Sequence, residues 1–213
     1  MESRMHEIRA RNAGKVKIGV IPGHFATNHS HVNYYVDMTA VKTSSSTAKE
    51  AASLLAQEYM MGTNIDTIVC LEGTEMLGAF LAQALSDSSI PVLNAGHDIN
   101  VITPELNASN QMIFRDNTQK MIWGKHILLL MASVSTGKTI NRAVECLQYY
   151  GGKLVAISAI FSAAAESRGI KINSIFTPGD IPEYQSYGTG ECPLCAAHKK
   201  VDAIVNSYGY SKI

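Results

Sequence analysis

Apolar positions along this chain fall into runs of two kinds. DTIVCL (66–71), HILLLM (126–131) and KLVAISAIF (153–161) are apolar on consecutive residues, which predicts strands buried on both faces, as in a parallel sheet. KVKIGVI (15–21), stopped by Pro22 and Gly23, and the short IPVLNA (90–95) predict two more strands. Between them the period changes. Thr47 and Glu50 form a capping-box pattern ahead of Ala51, Leu54, Leu55 and Tyr59, which predicts a helix over 47–61. After EGTE, the spacing of Met76, Leu77, Phe80, Leu81, Ala84 and Leu85 predicts a second helix. Ile140, Ala143, Val144, Leu147 and Tyr150 predict a third, closed by Gly151 and Gly152.

Two stretches carry neither pattern. GHFATNHSHVNYYVDMT (23–39) has no helical period and is dense in groups that can hydrogen-bond a ligand. Residues 96–120 are polar, weakly periodic and longer than a usual connection, so they read as a functional loop or flap. Strands alternating with helices predict a single α/β domain over 1–213, with a mainly parallel twisted sheet and helices on both faces. Ligands of such sheets bind at the C-terminal ends of the strands, where the EGTE and STGKT turns fall.

Composition narrows the function classes. With 213 residues, 46% hydrophobic and 17% charged, the chain is an ordinary globular one. Its 18 basic and 18 acidic residues cancel, so no overall positive field draws in nucleic acid or an anionic membrane. No apolar run reaches the roughly 20 residues that span a bilayer, and the N-terminus has no signal-peptide core, which predicts a cytoplasmic protein. Cys70 and Cys146 fall in apolar segments and read as core. Cys192 and Cys195 form a CPLC pair with His198 nearby, half of a zinc site with no second CxxC or HxxxH to complete it. His24, His29 and His31 lie in a polar loop without a carboxylate triad and read as hydrogen-bonding groups. Neither set predicts a bound metal.

ILLLMASVSTGKT (127–139) is the most informative stretch. A strand, a tight turn and a helix form a phosphate cradle from backbone amides at a helix N-terminus. Ala132–Thr139 loosely fits the nucleoside-triphosphatase loop, with Lys138 on the phosphates and Thr139 on magnesium. That mechanism needs a later strand ending in an acid, and KLVAISAIF supplies none.

The whole chain instead resembles the type I phosphoribosyltransferases, most nearly the orotate enzymes. LLLMASVSTGKT resembles their 5′-phosphate loop, NYYVD (33–37) their Tyr-Tyr-x-Asp segment, CLEGTEMLGAFLAQAL their pyrophosphate loop, and GECPLC the ending of many orotate enzymes. The resemblance implies hood elements at 1–40 and 170–213, a flap over 96–122, and a homodimer. It implies transfer of ribose 5-phosphate from phosphoribosyl pyrophosphate, with Mg2+, to a pyrimidine-type base. It places the 5′-phosphate on Ser135, Thr136, Gly137, Lys138 and Thr139, the pyrophosphate by Glu72, Gly73 and Thr74, and the base near His29, Asn33, Tyr34 and Tyr35. Met131 and Ala132 stand where the family's paired acids grip the ribose hydroxyls. Thr74 and Glu75 replace a Gly-Gly, and of an Arg-Lys-Glu strand only Glu105 remains, leaving Arg115 and Lys120 as candidate cations. Two readings follow: a transferase with an altered site, or a protein of this fold that binds a nucleotide without turnover.

Overall fold

The computed structural model describes residues 1–11, 13–89, 93–108, 111–135, 137–188 and 190–213. The N-terminal third builds β1 (His6–Ala10), β2 (Ala13–Ala26), β3 (Ser30–Asp37), α1 (Thr39–Thr43) and α2 (Ser45–Ala56). Then come β4 (Thr67–Cys70), α3 (Glu75–Leu85), β5 (Asn100–Ile102), β6 (Glu105–Leu106), β7 (Met112–Ile113) and α4 (Asp116–Gln119). The second half runs β8 (His126–Val134), α5 (Lys138–Tyr149), β9 (Lys153–Ser162), β10 (Glu166–Ser167) and β11 (Ile170–Phe176). It ends with β12 (Ser186–Gly188), α6 (Pro193–Ala196), β13 (Ala203–Asn206) and β14 (Gly209–Lys212).

Two sheets result. The main one has the order β10-β11-β9-β8-β4-β5 and is parallel except at its β10 edge. Its central strand β8 alternates between two cores. Leu128, Leu130 and Ala132 pack with Ala51, Leu55, Leu77 and Leu81 of α2 and α3. Ile127, Leu129 and Met131 pack with Ile140, Ala143, Val144 and Leu147 of α5. Helices therefore cover both faces, and burial on both sides explains the unbroken apolar runs.

The second sheet, β12-β3-β2-β13-β14 with β1 also on β2, draws strands from both ends of the chain. This corrects the place of KVKIGVI, which is part of β2 in the second sheet and not a strand of the main one. Residues 170–176, expected in the hood, form β11 of the main sheet instead. The stretch 23–39 is also more regular than its pattern: it completes β2, turns and forms β3, with Phe25↔Val32 and Ala26↔His31 opposed. A bulge between Pro22 and Phe25 breaks the register there and hides the alternation. Within the expected flap, 100–102 joins the main sheet beside β4, and β6 and β7 form a small separate hairpin. Residues 90–92 of IPVLNA lie outside the described residues; Asn94 is buried, accepting from Ile65 N and donating to Thr63 O. Among the described residues no helix is long and apolar enough to cross a membrane.

Close packing of α3 on the sheet depends on Gly78. A Cβ there would collide with Cys70 Sγ and stand 3.2 Å from Val101 Cγ1. Gly78→Val is expected to lower the unfolding free energy by about 1 to 3 kcal/mol. Urea unfolding checks this, and an unchanged midpoint would contradict tight packing at this crossing.

Candidate functional site

A cleft of about 560 Å³ opens where the C-terminal ends of β4 and β8 face the second sheet. This volume suits a nucleotide-sized ligand. Its floor holds Leu71, Glu72 and Gly73 after β4, and Met131, Ser133, Val134 and Ser135 from β8 and its turn. Gly137, Thr139 and Arg142 line one end; Thr27, His29, Tyr34 and Tyr35 line the other.

The α5 end of the cleft is built as the residues dictate. Gly137 caps α5 in the left-handed conformation, φ 73°, which a side chain disfavours. The chain then enters a 12-residue helix whose first free amides face the turn. Ser135 is exposed, and Gly137 and Thr139 are half-buried on the cleft. Thr136 lies outside the described residues, as does the side chain of Lys138. Arg142, one helical turn beyond Lys138, brings a guanidinium to this end; i, i+4 spacing was its only signal in the sequence.

The opposite loop has unusual backbone. Glu72 and Gly73 both adopt positive φ, 64° and 77°. For Glu72 this conformation costs on the order of 1 kcal/mol or more, and such strain concentrates at ligand sites. Glu72 Oε2 accepts the Ser133 amide at 3.0 Å. Burial pushes the Glu72 carboxyl above the usual range, against the opposing pull of the Ser133 amide and of Lys42. Lys42 of α1 was missed by sequence reasoning. Its Nζ donates to Glu72 O at 3.3 Å and to Ser207 O, and sits 5.9 Å from the Tyr208 ring centroid. Burial lowers its pKa, while Glu72, Asp37 and Glu75 pull the other way.

Other expected residues are placed elsewhere. Thr74 is fully buried, and its hydroxyl donates to Leu71 O and Leu130 O, tying β4 to β8 and facing away from the cleft. Asn33 bonds Glu183 O and Gln185 N, both at 2.7 Å, and so joins β3 to the segment before β12. Arg115 makes a bidentate pair with Glu105, both contacts 2.7 Å, on the β6–β7 hairpin. Neither Arg115 nor Lys120 lines the cleft. The fold brings His29, Tyr34 and Tyr35 together, and adds Tyr184 and the β13–β14 turn at Asn206, Ser207 and Tyr208. Tyr35 and Tyr184 are buried enough to push both phenols up to about 12, so they meet a ligand as neutral hydrogen-bonding groups.

No protein-family model matches the sequence, and no curated protein matches it. Solved structures do. Orotate phosphoribosyltransferase from Aeropyrum pernix superposes with TM-score 0.54 at 16% identity, over 77% of this chain and 90% of that one. The Mycobacterium tuberculosis H37Rv orotate enzyme, solved with 5-phospho-alpha-D-ribosyl 1-diphosphate, gives 0.52 at 16%, over 69% and 82%. Adenine phosphoribosyltransferase from Thermoanaerobacter pseudethanolicus gives 0.50 at 15%, over 83% and 96%. This chain has the type I phosphoribosyltransferase fold. Met131 and Ala132, near the end of β8, are 1% and 0% exposed.

Magnesium in this site would need oxygen donors that the strand lacks. The side chains of Met131 and Ala132 offer none; Glu72 Oε2 accepts the Ser133 amide and Glu75 Oε1 accepts from Thr103 at 2.9 Å. The carboxylate oxygens left for a metal on the cleft are those of Glu72 and Glu75, with none from β8.

The raised pKa of Glu72 gives a signed prediction. A carboxyl raised in the folded state stabilises the fold fully below its unfolded pKa and loses that contribution as pH rises through the folded value. Glu72→Gln, which can still accept the Ser133 amide, is expected to be more stable than wild type near pH 7. The gap should close as pH falls toward about 4.3. Denaturant midpoints of both proteins from pH 4 to 8 check this, and a gap independent of pH would contradict it.

Proposed function

We propose that the cleft binds a ribose 5-phosphate ligand of nucleotide type, and that it does so without pyrophosphate-releasing transfer. The phosphate lies at Ser135–Thr139, held by amides at the start of α5, by the Thr139 hydroxyl and by Arg142. The base stands among His29, Tyr34, Tyr35 and Tyr184, an apolar wall with polar tips. The observation that carries the reading is the burial of Met131 and Ala132, one in each core, where ribose-gripping acids would be required. Loss of two charge-assisted hydrogen bonds removes about 1.5 to 3 kcal/mol each from a bound ribosyl group. Arg115 is held in its bidentate pair with Glu105 outside the cleft, and among the described side chains Arg142 is the cation that lines it.

A second reading rests on Glu72. Its carboxylate meets the amide of the residue directly after Ala132, and from there it is the group best placed to replace a missing acid on the ribose. Under that reading the chain is an orotate-type phosphoribosyltransferase with a relocated carboxylate, and the pairing of two chains, the cytoplasmic setting and a need for Mg2+ belong to the same reading.

Calorimetry with orotidine monophosphate, ribose 5-phosphate and phosphoribosyl pyrophosphate, with and without Mg2+, separates the two. The binding reading expects the monophosphates to bind without Mg2+, and no pyrophosphate release with orotate or adenine. It also expects Thr139→Ala to weaken monophosphate binding about tenfold, the loss of one hydrogen bond of about 1.4 kcal/mol. Magnesium-dependent preference for phosphoribosyl pyrophosphate, with pyrophosphate released, would establish transfer instead.

A further inference from the structure

Away from the cleft floor, the second sheet gathers four side chains that the nucleotide site does not use. His24 near the end of β2, His31 at the start of β3, and Cys192 and Cys195 at either end of the first turn of α6 bring their donor atoms within 4.8 Å of one another. Both Cys192 Sγ and Cys195 Sγ lie 3.6 Å from His24 Nε2; Cys195 Sγ is 3.2 Å, and His24 Nε2 2.9 Å, from His31 Nδ1. A tetrahedron with metal–sulfur bonds of about 2.3 Å and metal–nitrogen bonds of about 2.0 to 2.1 Å separates nitrogen from sulfur by about 3.6 Å and nitrogen from nitrogen by about 3.4 Å. The set meets the first distance twice, and the Cys195–His31 and His24–His31 separations are a few tenths of an ångström shorter, which an ion at the centre would widen.

The protonation pattern supports the same centre. His24 Nδ1 lies 2.9 Å from the carbonyl oxygen of Lys199, which can only accept, so Nδ1 carries the hydrogen. The lone pair of the neutral ring is then on Nε2, aimed at both sulfurs and at His31. A ligating histidine held by a backbone carbonyl through its other nitrogen is the usual outer arrangement of a zinc site. His24 and Cys192 are 3% and 4% exposed, and all four cysteines of the chain are free thiols. Two thiolates and two neutral imidazoles offset a dication completely, which suits a site with half its donors out of water.

We propose that His24, His31, Cys192 and Cys195 bind a structural Zn2+ ion. Four protein ligands leave no open position, so the ion fastens and does not catalyse. It joins the β2–β3 hairpin to the segment around α6, and the turn of that hairpin at Thr27, Asn28 and His29 is the wall of the nucleotide cleft. His198 is not among the donors.

The test is metal content of the full chain, purified under a phosphine reductant without chelator from zinc-supplemented growth. One zinc per chain is expected by plasma mass spectrometry. Replacement by Co2+ should give the visible bands of a tetrahedral ion with a thiolate charge-transfer feature. Cys195→Ser, an exposed position, and His31→Ala should lose the ion and the spectrum while keeping the far-ultraviolet dichroism of the wild type; Cys146→Ser should keep all three. Metal-free wild-type protein, or full zinc retained in the Cys195→Ser/His31→Ala double variant, would overturn the proposal. Neither outcome depends on what the cleft binds.

Discussion

Strand β8 is paired on both edges, with β4 and β9, and covered on both faces, by α2 and α3 on one side and α5 on the other. Nothing along its length from Ile127 to Ala132 can be polar without losing water on every side. That constraint sets the rest. It fixes the direction in which β8 leaves the sheet, and therefore where Ser135 and Gly137 turn the chain into α5. It also fixes what the strand's end offers a ligand: Ser133 lines the cleft with its amide given to Glu72 Oε2, while Met131 and Ala132 bring no side-chain oxygen.

Function follows from how that turn is completed. Gly137 in the left-handed conformation lets α5 begin directly at the strand end, so its unpaired amides open on the cleft. Across the floor, the strained Glu72–Gly73 turn is held by Lys42 from behind and by the Ser133 amide in front. The residues proposed for a phosphate and for a base stand at opposite ends of the cleft, and its lining also holds Glu72, whose burial disfavours its charge, and Glu75. Under the proposed reading, an apolar strand end without paired acids suits recognition of a finished monophosphate better than stabilisation of a departing pyrophosphate.

The main sheet was legible because burial on both faces leaves unbroken apolar runs, as in TIVC and HILLLM, and the helices because one buried face imposes its period. KVKIGVI was legible as a strand but not as a member of the other sheet, since apolar content says nothing about which neighbour covers it. Residues 23–39 looked irregular because their polar members face a cleft or one another: His29 lines the ligand wall, and His24 and His31 meet the cysteines. At three residues, β5 is too short to show a period. The CPLC pair and the histidines of 24–31 were each visible, but not their meeting, because 168 residues separate His24 from Cys192 and the pairings of β12 with β3 and of β13 with β2 bring the tail back. Thr74 was misplaced for a related reason: a hydroxyl next to a ligand loop reads as a contact, but here it serves two strand carbonyls.

The most direct measurement is an amide-resolved NMR titration of the protein with uridine 5′-monophosphate in the absence of Mg2+. The account predicts that the largest shifts fall on Ser135, Gly137 and Thr139, with a second group at His29, Tyr34 and Tyr35. Shifts confined to Glu72 and Gly73, or appearing only when Mg2+ and phosphoribosyl pyrophosphate are both present, would contradict it.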